Sequence, residues 1–322
     1  MKNAIIWGLV LAGIAYGGSK FYMHHKVEEA LDSAVMMMSP YAEITYDGVS
    51  STMMGKLTVD GLRANIEGFD DEVYVEHLGI DTPSYFALRD LMDVGSGGMM
   101  SGSDFPDYIG FVIEGVHIPS NADYYRDIYN LGIEALGSPA DASEPGAQCV
   151  GKYGHSPAAL RDLGYNEQVL SFAMYLRMSE STELMNITAS VDEMWSFEID
   201  LSLVPDVQNA MTPVAMARRK LSKMNVVMTD HSLNARISEY CEKLGLSPEQ
   251  TMQARLDALH FIGENNGIIF DEYFIEPYKE FVSGKDTLVV TAQPTNPINI
   301  TQIDLYKPSD VPALLNLAAI AK

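Results

Sequence analysis

Apolar and polar residues alternate with a period of two over much of the chain, the pattern typical of half-buried β-strands. In the first half this pattern predicts strands over 41–52, 56–66, 73–80 and 107–118. In the second half it predicts strands over 168–178, 183–192, 195–204, 221–229, 286–292 and 298–306. The alternation within 56–66 changes phase at Asp60-Gly61, which we interpret as a β-bulge. The polar side of the alternation is typical of antiparallel sheets with one solvated face.

Apolar residues spaced three and four apart predict helices between these strands. The first follows Pro83, a residue favoured at the start of a helix. The others are predicted over 121–136, 157–163, 206–219, 232–263, 271–282 and 309–321, with 232–263 divided into two helices at 245–250. Ser247 followed by Gln250 three residues later forms a capping-box signature for the second helix of that pair.

The N-terminal segment is apolar over a length that suits a membrane. Residues 4–18 contain no charged residue, and extension to Met23 gives a run of about 20 residues, the length of a transmembrane helix. A cleaved signal peptide is the alternative, but Ala15-Tyr16-Gly17 is a poor cleavage site. We therefore favour an uncleaved anchor, formed by Ile5, Ile6, Trp7, Leu9, Val10, Leu11 and Ile14.

An amphipathic helix is predicted next, over 24–40. Its apolar stripe contains Val27, Leu31, Ala34, Val35 and Met38, and Ser39-Pro40 ends it. The stripe either packs on the body of the protein or contacts a partner as a packing surface. Two heptads are too few to establish a coiled coil.

These elements predict an α+β fold class, in which an N-terminal transmembrane helix precedes antiparallel, curved sheets with packed helices. Glycine and proline are frequent over 137–157, which we interpret as a linker or surface loop. The predicted organisation is an anchor at 1–23, an amphipathic helix at 24–40, a sheet domain at 41–136, the linker, and a second α+β domain at 158–322.

Composition narrows the classes of function. Lys and Arg number 21 against 44 Asp and Glu, giving a formal charge of −23, while 47% of the residues are apolar. The apolar content excludes a disordered acidic tail. The acidic balance argues against binding of nucleic acid, which requires clustered basic residues.

The chain contains no recognisable catalytic motif. The segment from Gly48 to Leu57 resembles a phosphate-binding loop, but its spacing is too long and Leu57 replaces the required hydroxyl. His77 and His117 lie on predicted strands, where they are either ordinary sheet residues or part of a metal site. We predict no catalytic residues, no metal and no cofactor, although an enzyme site assembled from distant residues remains an alternative.

The only two cysteines, Cys149 and Cys241, allow one disulfide if the body lies outside the cytosol. The alternative is one buried cysteine on the helix around residue 241 and one free cysteine in a loop.

Residues 1–118 resemble the start of AsmA-like envelope proteins. The resemblance is carried by the apolar N-terminus, the segments "GKLTVDGLRANI", "VYVEHLGID" and "IGFVIEGVHIP", and the short helix "SYFALRDL". It implies a single-pass inner-membrane anchor, a periplasmic body and a curved sheet with an apolar groove. The implied partners are the lipid bilayer and either a lipid ligand or an envelope protein. The corresponding function is non-enzymatic, with a structural subunit of a membrane assembly as the alternative.

Overall fold

The computed structural model describes residues 24–322 except 26, 30, 33–34, 37–38, 53, 69–70, 96–105, 123–144, 151–156, 180, 206–217 and 266–268. Twelve strands in this part of the chain form one sheet. The strands are β1 (Ala42–Thr45), β2 (Gly48–Ser51), β3 (Lys56–Ile66), β4 (Glu72–Asp81), β5 (Tyr108–Pro119), β6 (Glu167–Met178), β7 (Glu183–Val191), β8 (Trp195–Val204), β9 (Lys220–Asp230), β10 (Thr287–Ala292), β11 (Ile298–Asn299) and β12 (Ala318–Ala321).

The sheet is antiparallel at every pairing between the described strands. Its order is β1-β3-β4-β5-β6-β7-β8-β9-β10-β12, while β2 also pairs with β3 and β11 also pairs with β9. Neighbours in space are thus mostly neighbours in sequence, as in an antiparallel meander. Strands β5 and β6 pair directly, so the sheet continues across the predicted linker at 137–157.

Seven α-helices accompany the sheet within the described residues. They are α1 (Tyr85–Gly95), α2 (Pro145–Val150), α3 (Pro157–Asp162), α4 (Leu233–Lys243), α5 (Pro248–Asn265), α6 (Glu272–Val282) and α7 (Val311–Leu315). Further helical residues occur at 24–25, 27–29, 31–32 and 35–36. The predicted capping box is present, because Gln250 accepts a hydrogen bond from the Ser247 N–H and Ser247 accepts one from the Gln250 N–H.

The predicted fold class requires correction. The described strands form one large antiparallel sheet. No helix within the described residues is both long enough and apolar enough to cross a membrane. The longest, α5, carries Glu249, Arg255 and Asp257 along its 18 residues. This finding contradicts the predicted transmembrane helix and the predicted location, a single-pass inner-membrane protein with a periplasmic body. The predicted anchor at 1–23 lies outside the described residues.

Two C-terminal segments also differ from their predictions. The strand predicted over 298–306 consists only of β11, and a 3-10 helix follows at Ile300–Leu305. The Asn299 side chain explains the change, because its oxygen accepts hydrogen bonds from the N–H and hydroxyl of Thr301 and so stabilises a turn. The helix predicted over 309–321 ends at Asn316, which is left-handed with φ 49°, and the chain then forms β12.

The phase break predicted at Asp60-Gly61 extends over three strands. Val59 and Leu62 are three residues apart on β3, and the residues paired with them on β4 and β5 are also three apart, so these three strands stay in register. On β6 the corresponding residues are only two apart, so the register shifts between β5 and β6. Gly61 and Gly115 lie at this level with φ 61° and 65°, a left-handed conformation that glycine adopts without strain.

Candidate functional site

The two faces of the sheet differ in chemistry. Along β6 to β9, one set of alternating residues is almost entirely apolar and the other is rich in hydroxyl, amide and charged side chains. Cross-strand register places like residues opposite one another: Phe172 pairs with Ala189, which pairs with Phe197. We call these surfaces the apolar face and the polar face.

The middle of the apolar face carries two apolar rows that run across the strands. The first contains Leu78, Ile113, Phe172, Ala189, Phe197 and Met228, one from each of β4 to β9. The second contains Phe111, Met174, Ile187, Ile199 and Val226, one from each of β5 to β9. We call these eleven residues the apolar strip. Six strands at the usual spacing give it a length of about 24 Å.

The strip lies between the hydrophobic clusters rather than inside them. Helices pack on the apolar face near its margins, where five clusters of buried residues form. No strip residue belongs to any of these clusters within the described part of the chain. Leu78, Phe111 and Met228 remain 37%, 39% and 41% exposed, and the other strip residues are half-buried. A continuous apolar surface therefore faces outward in the middle of the sheet.

The predicted interaction stripe at the N-terminus packs, at least in part, within the protein. Val27 is buried with Leu57 and Leu88, and Leu31 packs against the same cluster. Val35 is half-buried. Ala34 and Met38 lie outside the described residues, as do the anchor residues Ile5, Ile6, Trp7, Leu9, Val10, Leu11 and Ile14. Val27 is thus committed to the fold of its own chain.

Cys149 and Cys241 form a disulfide that joins α2 to α4, with their Cα atoms 5.3 Å apart. Both cysteines are buried in one cluster, together with Leu160 of α3 and Val191 at the end of β7. The bond therefore fixes these helices over one margin of the apolar face, next to the strip.

Carboxylates of neighbouring strands pair with both strand histidines. Nδ1 of His77 lies 2.8 Å from an oxygen of Asp60. His117 contacts two carboxylates, because Nε2 lies 3.1 Å from Glu76 and Nδ1 lies 3.1 Å from Glu167. Burial lowers the pKa of His117, but the two carboxylates raise it, and the net shift is upward. Among the described residues, no group of three His, Cys, Asp or Glu could hold a metal ion.

The alternation of apolar and polar residues predicts an apolar sheet face but not the position of the strip. Alternation places Ile187 and Phe197 on one face with Leu203, yet Leu203 is buried in a cluster and the other two residues are not. Apolar residues at paired positions on six successive strands could locate the strip. These positions can be recognised only when the register between the strands is known.

One protein-family model, described as an uncharacterized protein, matches residues 170–322. The matched segment begins within β6 and includes the strip residues contributed by β6 to β9. It starts after residue 118, so the resemblance of residues 1–118 to AsmA-like proteins stays a prediction. No curated protein matches the chain.

Proposed function

We propose that this chain is a non-enzymatic binding protein whose apolar strip holds the hydrocarbon part of a lipid. The observation that carries the proposal is a row of apolar side chains across six strands, left outside every cluster of buried residues in the described part of the chain. Large contiguous apolar patches on a protein surface usually mark a binding site.

The shape of the strip supports an extended chain as its ligand. It runs across the strands for about 24 Å. Phe172, Phe197 and Ile199 provide broad apolar contacts, while Met174 and Met228 are flexible enough to adapt to different chains. Each methylene buried against such a surface contributes about 0.8 kcal/mol.

Backbone pairing favours hydrocarbon over a protein segment. The strip lies on β4 to β9, and each of these strands pairs with a neighbour on both sides. Their backbone groups are therefore unavailable to an added strand. An extended peptide laid across the strip would bring polar backbone groups to apolar side chains that cannot pair with them. An acyl chain has no such groups, so it matches the surface better.

The first experiment tests binding with a dansyl-labelled fatty acid and the full chain. Met228→Glu places a charge on the strip at an exposed position, where folding should tolerate it. The matched control is Leu184→Glu, which changes an exposed leucine on the polar face of β7. We expect wild type and Leu184→Glu to bind alike, and Met228→Glu to bind at least about tenfold more weakly, because a carboxylate would lose water on ligand binding.

Equal binding by the two glutamate variants would show that the strip is not the lipid site. Mass spectrometry of lipids extracted from the purified chain provides an independent readout. If no lipid is found, but Met228→Glu abolishes crosslinking to a single protein partner, the protein-scaffold alternative is correct.

A further inference from the structure

The polar face carries a cavity of about 300 Å³ over the middle of β5 to β9. Its lining also includes Phe172, Ala189 and Phe197, which alternate with the hydroxyl-bearing residues along their strands and belong to the apolar strip on the other face. A row of hydroxyls crosses it: Ser171, Ser190, Ser196 and Thr229 come from four successive strands in register. At the usual strand spacing, this row is about 14 Å long.

Several polar groups in the cavity are open to a ligand. The hydroxyls of Thr188, Ser190 and Thr229 form no hydrogen bond with another described residue. Ser171 accepts one from the Gly115 N–H at 3.2 Å, and its own O–H remains available as a donor. Ser196 is 3.2 Å from Nε2 of His231. Each free hydroxyl can both donate and accept.

The negative charge of the cavity lining excludes anionic ligands. Glu114 and Glu198 line the cavity, and the described lining contains no Lys, Arg or His. One oxygen of Glu198 accepts a hydrogen bond from Asn186 at 2.9 Å, which orients the carboxylate and leaves its other oxygen as an acceptor. The favoured ligand is therefore neutral or cationic and rich in hydrogen-bond donors.

We propose that this cavity binds a neutral saccharide. Uncharged hydroxyls outnumber carboxylates in its lining, and both Glu114 and Glu198 are exposed, so solvent screening weakens their attraction for a cation. A saccharide supplies several hydroxyl groups along its length, and these can pair with a row of serine and threonine hydroxyls. The inference does not depend on lipid binding, since the two surfaces lie on opposite faces.

Calorimetric titration of the full chain with cellotriose, maltotriose and chitotriose tests the proposal, with spermidine as the cationic probe. We expect at least one trisaccharide to bind with a Kd of about 1 mM or lower. The double variant Thr188→Val with Ser190→Ala removes two unpartnered hydroxyls and should weaken binding about tenfold. Thr291→Val is the matched control, because Thr291 lies on the same face of β10 outside the cavity lining.

Circular dichroism of each variant separates loss of binding from loss of fold. The proposal is overturned if none of the three trisaccharides binds up to about 10 mM. It is also overturned if spermidine alone binds, which would make the cavity a cation site. Undiminished saccharide binding by the folded double variant would place the saccharide elsewhere on the molecule.

Discussion

His117 connects three strands through its two ring nitrogens. The imidazole lies on β5, between Glu76 on β4 and Glu167 on β6, and its ring also contacts Tyr74 at a centroid distance of 5.2 Å. Both nitrogens can donate at once only in the protonated ring, so the arrangement favours the charged form. This pairing lies close to Gly115, where the register between β5 and β6 shifts.

The net rise in the pKa of His117 makes stability depend on pH in a definite direction. The folded state binds the proton more tightly than the unfolded state, so the stabilisation is fully present below the unfolded pKa of about 6.5. It is lost as the pH rises through the higher folded pKa. Urea unfolding of wild type and His117→Gln should show a difference in stability that shrinks as the pH rises above about 6.5.

A difference that grows with increasing pH in His117→Gln would contradict the proposed pairing.

At the scale of elements, a buried ion pair joins the start of β7 to the residue before β9. Arg219 contacts both oxygens of Glu183, and Nη2 donates to one of them at 2.9 Å. Their side chains are only 7% and 3% exposed. A buried pair of this kind depends on both partners, because removal of one leaves the other charge in an apolar environment.

Arg219→Met should therefore lower the free energy of unfolding by about 3–5 kcal/mol. The double variant Glu183→Leu with Arg219→Met should recover most of that loss, because it removes both charges. Urea unfolding measures both values. The exposed pair Lys279–Glu276 is the control, and its disruption should cost about 1 kcal/mol or less. An equal loss in the single and double buried variants would contradict this account.

The elements themselves were predicted to different degrees. Alternation located β3 to β10 within a few residues, because each of these strands contains at least 6 residues of apolar–polar pattern. Alternation failed over 298–306, where the Asn299 side chain stabilises a turn. The helical pattern predicted over 309–321 failed at its C-terminal end, where pairing of β12 with β10 outweighs it.

At the scale of the whole molecule, the disulfide closes a long loop. Cys149 and Cys241 are 92 residues apart, and the chain between them contains β6 to β9, which carry most of the apolar strip. Closure of a loop of this length restricts the unfolded chain and contributes about 4–5 kcal/mol in the loop-entropy treatment.

The variant Cys149→Ala with Cys241→Ala should lose about 2–5 kcal/mol of unfolding free energy. Reductant should destabilise wild type by a similar amount and leave the double variant unchanged. Gel-shift labelling of thiols in unreduced protein checks the bond directly. Two reactive thiols in wild type, or equal stability of wild type and the double variant, would show that the bond does not form.

Local sequence patterns account for most strands of this protein. Alternation of apolar and polar residues defines most strands and assigns their side chains to two faces, because side chains on a strand point alternately to opposite sides. Asp60-Gly61 marks the phase break for the same local reason. The two cysteines limit any intramolecular bond to one pairing.

Packing between distant segments determines which residues of each face are covered. Ile187 and Leu203 follow the same alternation, yet Leu203 packs in a cluster beside α7 and Ile187 remains on the strip. The hydroxyls of Ser171, Ser190, Ser196 and Thr229 form a row only through the pairing of four strands. Both surfaces depend on contacts between residues far apart in sequence. The apolar–polar pattern of one strand does not specify the register in which neighbouring strands pair with it.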